Sequence, residues 1–336
     1  MSGDFTAVLA TAVCGAVVAV AEPVAIPLLR RAAVMDVPGH RSSHTVPTPR
    51  GGGLPVAAGL VVAAILLGGV MATAFGVTVA AFGALGLAED LTGLSAGRRL
   101  ALQAVGSALV GLVLVSTVPV SAPAVAGLAL LTAVWITGFV NAFNFMDGVN
   151  GISGAHALVG GAAYGLLGWW RADAFLLPAG AALAVGALAF LPWNAGRARV
   201  FLGDAGSYAL GAGLAVLAAY AVIQGIPAEA ALCPLALYVA DTGWTLQRRI
   251  RAGERWLEPH RTHTYQRLCD VGWSHQRVTT VTAGLTVLLS LLGAASLTGS
   301  LTLRALGDLG AAAVLIAYLR SPAVLLRRTA AREKAQ

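Results

Sequence analysis

APAVAGLALLTAVWITGFVNAFNFMDGVNG, residues 122–151, decides the fold. An unbroken apolar run ends in two amides and an acid, Asn141, Asn144 and Asp147. About 20 consecutive apolar residues let a helix cross the hydrocarbon of a bilayer. The run does not alternate as a barrel strand would, and only helices or closed barrels satisfy their backbone in lipid. Working outward, FLGDAGS at 201–207 repeats the arrangement in reverse, with Asp204 placed just ahead of another apolar run. Polar groups at the ends of membrane-length segments describe a chain that handles a charged substrate at a membrane surface.

Composition agrees. Apolar residues make up 57% of the 336 and charged residues 11%, and the mean hydropathy is +0.79. Soluble domains carry roughly 25% charged residues, so a soluble enzyme is excluded. The net charge of +7 follows from membrane topology rather than from a nucleic-acid partner. Three cysteines, Cys14, Cys233 and Cys269, form no framework. Asp4 is the only early charge and Arg30 and Arg31 follow the first apolar run, which is the wrong order for a signal peptide and places the N-terminus outside.

The spacing predicts an all-α polytopic protein with helices over 5–28, 53–71, 74–88, 99–117, 123–142, 152–170, 174–192, 206–224, 229–248, 276–297 and 301–319. The 53–88 stretch is divided near Thr73; ten spans instead of eleven is the alternative segmentation. Residues 1–320 form one domain and 321–336 a basic cytoplasmic tail. Eleven spans beginning outside put 20 of the 22 basic residues on the cytoplasmic side, leaving only Arg171 and Arg304 opposite, as the positive-inside rule requires. His40, His44, Glu89, Asp90, Asn144, Asp147, Asp204, His260 and His263 fall on that side too, while the outer connections are short.

Each motif has a plain reading beside the functional one. A charge at a helix centre costs roughly 2.5–3.5 kcal/mol on insertion scales, so an acid at a helix end is by default a solvated terminus. Convergence of Glu89, Asp90, Asp147 and Asp204 shifts the balance, because acids grouped without local lysine call for a cation. Carboxylates and amide carbonyls suit Mg²⁺. Gly148, Gly151, Gly203 and Gly206 flank the acids and let backbone approach a ligand, and the helix after Gly206 offers N–H groups to phosphate; capping and close packing explain the same glycines. RRIRAGERWLEPHRTHTYQRL, 248–268, either lines an anionic pocket or lies on anionic lipid. PGHRSSHTVPTPRGGG, 38–53, has the same two readings. Asp241, inside the ninth span, is a functional candidate or a partner of nearby arginine.

Together RSSHTVPTPRGGG, EDLTGLSAGRRLALQ, NAFNFMDGVNG, FLGDAGS and HRTHTYQ, in this order between Asp36 and Arg267, resemble the cytoplasmic motifs of the polyprenyl-phosphate N-acetylhexosamine-1-phosphate transferase superfamily (glycosyltransferase family 4), in particular its bacterial envelope-polysaccharide-initiating branch. The resemblance implies Mg²⁺-dependent transfer of an N-acetylhexosamine-1-phosphate from a UDP-amino sugar to undecaprenyl phosphate or a similar polyprenyl phosphate, with release of UMP. Mn²⁺ is the expected substitute, and the site is expected on the cytoplasmic face of the bacterial inner membrane. Carried over by position, Asp204 and Asn144 are the metal ligands, and Asp90, Glu89 and Asp204 the catalytic residues, with the acidic pair engaging the lipid phosphate. Asn141, Asp147, Asn150, His260, Arg261, His263, Arg50 and His44 are the substrate-binding set. Glu89 replaces the family's usual Asp, and Asn150 stands where many members carry Asp. No nucleic acid is expected as a partner, and a homodimer is compatible with the sequence. The rival readings are a transporter of a lipid-linked sugar or nucleotide, which lacks the expected internal repeat and midplane site, and a non-catalytic binding homologue.

Overall fold

The computed structural model describes residues 2–38, 46–255 and 260–333; His40 and His44 lie outside them. In chain order the elements are α1 (Ser2–Arg31), β1 (Met35–Asp36), β2 (Thr48–Pro49), α2 (Gly53–Leu67), α3 (Gly69–Thr92), α4 (Ala96–Val115), α5 (Ala122–Met146), α6 (Ile152–Arg171), α7 (Leu176–Asn194), α8 (Gly203–Ile223), α9 (Ala228–Leu232), α10 (Ala236–Arg251), α11 (Thr264–Asp270), α12 (His275–Ala294) and α13 (Leu301–Glu333). The protein is an all-α polytopic membrane protein. Among the described residues, eight helices are long and apolar enough to cross a bilayer: α1, α3, α4, α5, α7, α8, α12 and α13. Every one of the eleven helices read from sequence has a counterpart, though α2 is short and α9–α10 is interrupted.

The differences have local causes. The break within 53–88 falls at Gly68 and Gly69, not Thr73. Both glycines take positive φ, 66° and 77°, which other residues adopt only under strain. The ninth segment is not one helix, because Pro234 sits in a 3₁₀ turn at Cys233–Leu235 that separates α9 from α10; proline cannot donate the helical hydrogen bond. Helix α8 begins at Gly203, three residues earlier than expected. Helix α13 continues without a break past Arg320 to Glu333.

α8 is the central column. From Ala205 to Ala221 every residue is buried, so the helix is apolar all round, as a fully enclosed helix must be. Small residues let its neighbours reach its backbone, the usual device of membrane helix packing. A Cβ on Gly53 would collide with Cα of Gly206, and one on Gly86 with the carbonyl of Asp204. These two contacts bring the start of α2 and the end of α3 against the N-terminus of α8.

Short β pairing completes the arrangement. β1 and β2 are antiparallel, with Met35 opposite Pro49 and Asp36 opposite Thr48. The chain after β2 is then sewn to the segment before α8: Phe201 N donates to Pro49 O (2.8 Å), and Gly51 N and Gly52 N donate to Phe201 O (3.1 and 2.9 Å). Arg50 is thereby carried to Asp204. At the opposite end of the bundle, Gln224 donates to Thr117 Oγ1 (2.8 Å) and Tyr220 to Asp173 (2.9 Å). The segments read as cytoplasmic and those read as external therefore gather at opposite ends.

Candidate active site

Helix α5 stops at Met146, and the chain turns through Asp147, Gly148, Val149 and Asn150 into α6. Asn144 in its last turn faces the start of α8. Its Nδ2 donates to Asp204 Oδ1 (2.9 Å) and Ser207 Oγ (2.9 Å). Arg50 reaches the same carboxylate from the other side, Nη2 to Oδ1 at 2.9 Å. Asn144, Asp147, Asn150, Asp204 and Arg50 line one cavity of about 310 Å³, with Asp36, Asn194, Phe201, Gln266 and His275 among its other walls. Burial pushes the Asp147 carboxyl up to about 7. Burial alone would lower the Arg50 guanidinium, but Asp204, Asp90 and Asp36 hold it above its ordinary value, so it stays charged.

Asp90 behaves differently from expectation. It is 1% exposed and its oxygens are engaged. Oδ1 accepts from Asp204 N (3.1 Å) and Arg50 Nε (2.7 Å), and Oδ2 from Ala205 N (3.0 Å). The carboxylate caps α8, the favourable place for a negative charge on a helix. Two conclusions follow. The first N–H groups of α8 are taken by Asp90 rather than offered to phosphate, and the Asp90 carboxylate is directed at α8 and Arg50. The acids also have a built-in cation in Arg50, which the expectation of grouped, uncompensated acids overlooked.

Glu89 points away from the cavity towards Arg99, Oε1 to Nη1 at 3.4 Å. Asn141 lies off the cavity as well; its Nδ2 donates to Gln103 Oε1 (2.6 Å) and Thr137 O (2.8 Å) between α4 and α5. The His-containing segment packs behind the site. Asp241, fully buried, accepts from Thr264 N (2.9 Å), Tyr265 N (3.3 Å) and Tyr318 Oη (2.7 Å), and contacts His263 Nδ1 (3.3 Å). It caps α11. His263 stacks on His260, centroids 4.9 Å apart, and burial, then His263 and Arg249, push His260 down to about 4, so it is neutral near pH 7. Arg261 pairs with Asp270 (3.2 Å). None of His260, Arg261 and His263 lines the cavity; this segment contributes Gln266.

Sequence reasoning missed Asn194, Asp36 and His275. Asn194 Oδ1 accepts from Gly151 N (2.8 Å) and its Nδ2 donates to Val200 O (3.0 Å), fixing both loops of the cavity. It closes α7 as Asn144 closes α5, so the same signal was available. His275 stands at the first position of α12, just after the Ser274 cap, with nothing in its spacing to mark it.

The donor set fits a hard divalent cation. Among the described residues no three His, Cys, Asp or Glu side chains stand close enough to chelate an ion by themselves. Asp204, the amide of Asn144 and Asp147 nevertheless open onto one polar cavity. Mg²⁺ needs no more, since it binds through one or two carboxylates and completes its shell with water and substrate phosphate.

The sequence profile of glycosyl transferase family 4 matches residues 71–222. The decaprenyl-phosphate N-acetylglucosaminephosphotransferase of Mycolicibacterium smegmatis is 31% identical over 283 residues, 71% of this chain and 70% of the relative. A probable undecaprenyl-phosphate N-acetylglucosaminyl 1-phosphate transferase of Bacillus subtilis is 28% identical, over 74% of this chain and 75% of its own length. The phospho-N-acetylmuramoyl-pentapeptide-transferase of Streptococcus pyogenes is 32% identical over a shorter stretch, 41% of this chain and 46% of the relative.

Proposed function

The chain belongs to glycosyl transferase family 4 and is a phosphoglycosyl transferase, and on that premise we propose that it moves an N-acetylhexosamine-1-phosphate from a UDP-sugar to undecaprenyl phosphate or a related polyprenyl phosphate, releasing UMP. The observation that carries this reading is the single cavity shared by Asn144, Asp147, Asp204 and Arg50. The product begins a cell-envelope glycan. The chain crosses the bacterial inner membrane eleven times from an outside N-terminus, with the site on the cytoplasmic face, because that orientation puts its arginines inside.

The lipid phosphate oxygen attacks the β-phosphorus of the donor, and the bond to the UMP oxygen breaks. Such transfers rely on positioning and charge neutralisation more than on a strong base. Asp204 and Asn144 would hold Mg²⁺ with Asp147 in its shell, and the bound ion supplies charge neutralisation at the diphosphate. Arg50, 35% exposed beside Asp204, offers a planar fork to a phosphate oxygen. Asn150 borders the remaining volume and suits a polar edge of the nucleotide, while Asn194 holds the loops around it. Asp90 fixes the start of α8, and with it Asp204, rather than carrying a proton.

The test is to give purified protein undecaprenyl phosphate and a panel of UDP-sugars, with Mg²⁺ or with EDTA, and to weigh the lipid products by mass spectrometry. One lipid-diphosphate sugar accompanied by equimolar UMP, lost in EDTA, is expected. No lipid product from any donor would sink the proposal.

A further inference from the structure

We propose that Arg50 is an exchangeable counter-cation: it holds Asp204 until the donor diphosphate draws it away, so that the site takes in a divalent ion and the diphosphate together rather than the ion alone. The inference rests on the transferase reading above and adds to it a coupling between metal and donor that runs through one side chain.

An oxygen of the metal-binding acid is already engaged. Asp204 Oδ1 accepts from Arg50 Nη2 (2.9 Å) and from Asn144 Nδ2 (2.9 Å). A carboxylate oxygen offers about two lone-pair sites, so one donor must leave before Oδ1 can bind a cation. An ion on the other oxygen would still stand beside a guanidinium bonded to the same carboxylate, and the two positive charges repel. Asn144 can turn its amide and offer a carbonyl oxygen to the ion. Arg50 has no such alternative, because a guanidinium carries donors only. Among the described residues it is the only arginine or lysine on the wall of a cavity that also holds Asp36, Asp147 and Asp204. The ion and Arg50 therefore compete for one acid.

The arginine is placed to swing rather than to leave. Its Nε donates to Asp90 Oδ1 (2.7 Å), on a carboxylate 1% exposed, which ties the inner edge of the fork. Its stem packs over Gly203, where an added Cβ would lie 3.2 Å from Arg50 Cγ. The outer edge carries Nη2, on a side chain that is 35% exposed and lines the cavity. Asp36 is a further carboxylate that acts on the guanidinium and lines the same cavity, so the positive charge keeps an acid nearby as it moves off Asp204. A donor diphosphate gives that outer edge the phosphate oxygens a guanidinium fork matches, while Asp204 passes to the ion. Metal and diphosphate then bind with positive coupling, and such coupling is reciprocal.

The experiment uses full-length protein in nanodiscs, with Mn²⁺ as the probe of the divalent site. Free Mn²⁺ is followed by electron paramagnetic resonance in titrations without nucleotide and at fixed UDP, and protein-free controls correct for the Mn²⁺–UDP complex in solution. UDP should tighten Mn²⁺ binding by wild type at least about tenfold. A charged hydrogen bond is worth about a factor of ten, so without nucleotide Arg50→Gln and Arg50→Met should each bind Mn²⁺ about tenfold more tightly than wild type. The tightening by UDP should shrink in both by a similar factor. Arg50→Gln keeps a donor for Asp90, and a thermal melt shows which variants are folded. Arg50→Lys keeps the charge without the fork and should stay within about threefold of wild type when nucleotide is absent. Arg197→Met removes an exposed charge from the α7–α8 connection and should leave both titrations unchanged, because exposed charges are screened.

Equal or weaker nucleotide-free Mn²⁺ binding by a folded Arg50→Gln overturns the proposal, as does a wild type that binds Mn²⁺ equally well with and without UDP. A gain in Arg197→Met as large as that in Arg50→Gln assigns the effect to bulk charge and overturns it too. Neither titration needs turnover. A wild type that shows the exchange but transfers no sugar phosphate leaves the exchange standing while the transferase reading falls. Normal transfer by wild type, with Arg50→Gln binding Mn²⁺ as wild type does, removes the exchange alone.

Discussion

Replacing Asp90 with Asn should damage the enzyme by moving another residue. The carboxylate is 1% exposed and accepts three hydrogen bonds, from Asp204 N, Ala205 N and Arg50 Nε. An amide keeps one acceptor and turns an NH₂ towards a donor. Loss of a helix cap costs about 1 kcal/mol. Breaking a buried ion pair costs about 3–5 kcal/mol, but that figure needs discounting, because Arg50 is 35% exposed and retains Asp204 at 2.9 Å. A net loss of roughly 2–4 kcal/mol remains, which should lower the Tm of detergent-solubilised protein by roughly 3–6 °C. The start of α8 then relaxes, and a shift of Asp204 near 1 Å costs on the order of 100-fold in rate. The assay pairs a thermal melt with transfer of labelled sugar phosphate into extractable lipid. A variant with wild-type Tm and no turnover would refute this reasoning, since Asp90 would then serve the reaction itself.

Two further predictions concern packing and pH. Gly86→Ala places a methyl group on the carbonyl of Asp204, whereas nothing lies within 4 Å of a Cβ at Gly97; the first change should lower activity at least about tenfold, since sub-ångström shifts at this carboxylate matter, and Gly97→Ala should be near neutral in the same transfer assay. Asp147, pushed up to about 7 by burial, binds a proton in the folded protein that the unfolded chain releases near pH 4. Its contribution to stability therefore falls as pH rises from about 4 to about 7, readable as a declining Tm over that window. Activity should run the other way, rising with pH through about 7 as the carboxylate ionises, with saturating Mg²⁺ moving that limb to lower pH. Asp147→Asn should flatten both profiles.

Much of the fold was legible because membrane helices announce themselves by length and hydropathy, and the gathering of polar segments at one end follows from the placement of arginine. What sequence left open was set by contacts distant along the chain. The choice between Thr73 and Gly68–Gly69 as the break turned on two glycines free to take positive φ. Asn144, Asp147 and Asp204 could be grouped from their motifs, yet the meeting of Arg50 with Asp90 and Asp204 depends on the Pro49–Phe201 stitching, which no periodicity reveals. Asp241 looked equally suited to arginine, and only the fold brings α11 and Tyr318 to it. Asn141 shares a motif with Asn144 but, three residues earlier, faces α4 instead of the cavity.

The central claim is that Asp204, Asn144 and Asp147 gather around one divalent ion, and Mn²⁺ titration followed by electron paramagnetic resonance tests it most directly. With UDP-sugar present, wild-type protein should remove one equivalent of free Mn²⁺ signal, and Asp204→Ala should leave that signal in solution. Undiminished one-to-one binding by Asp204→Ala would contradict the account.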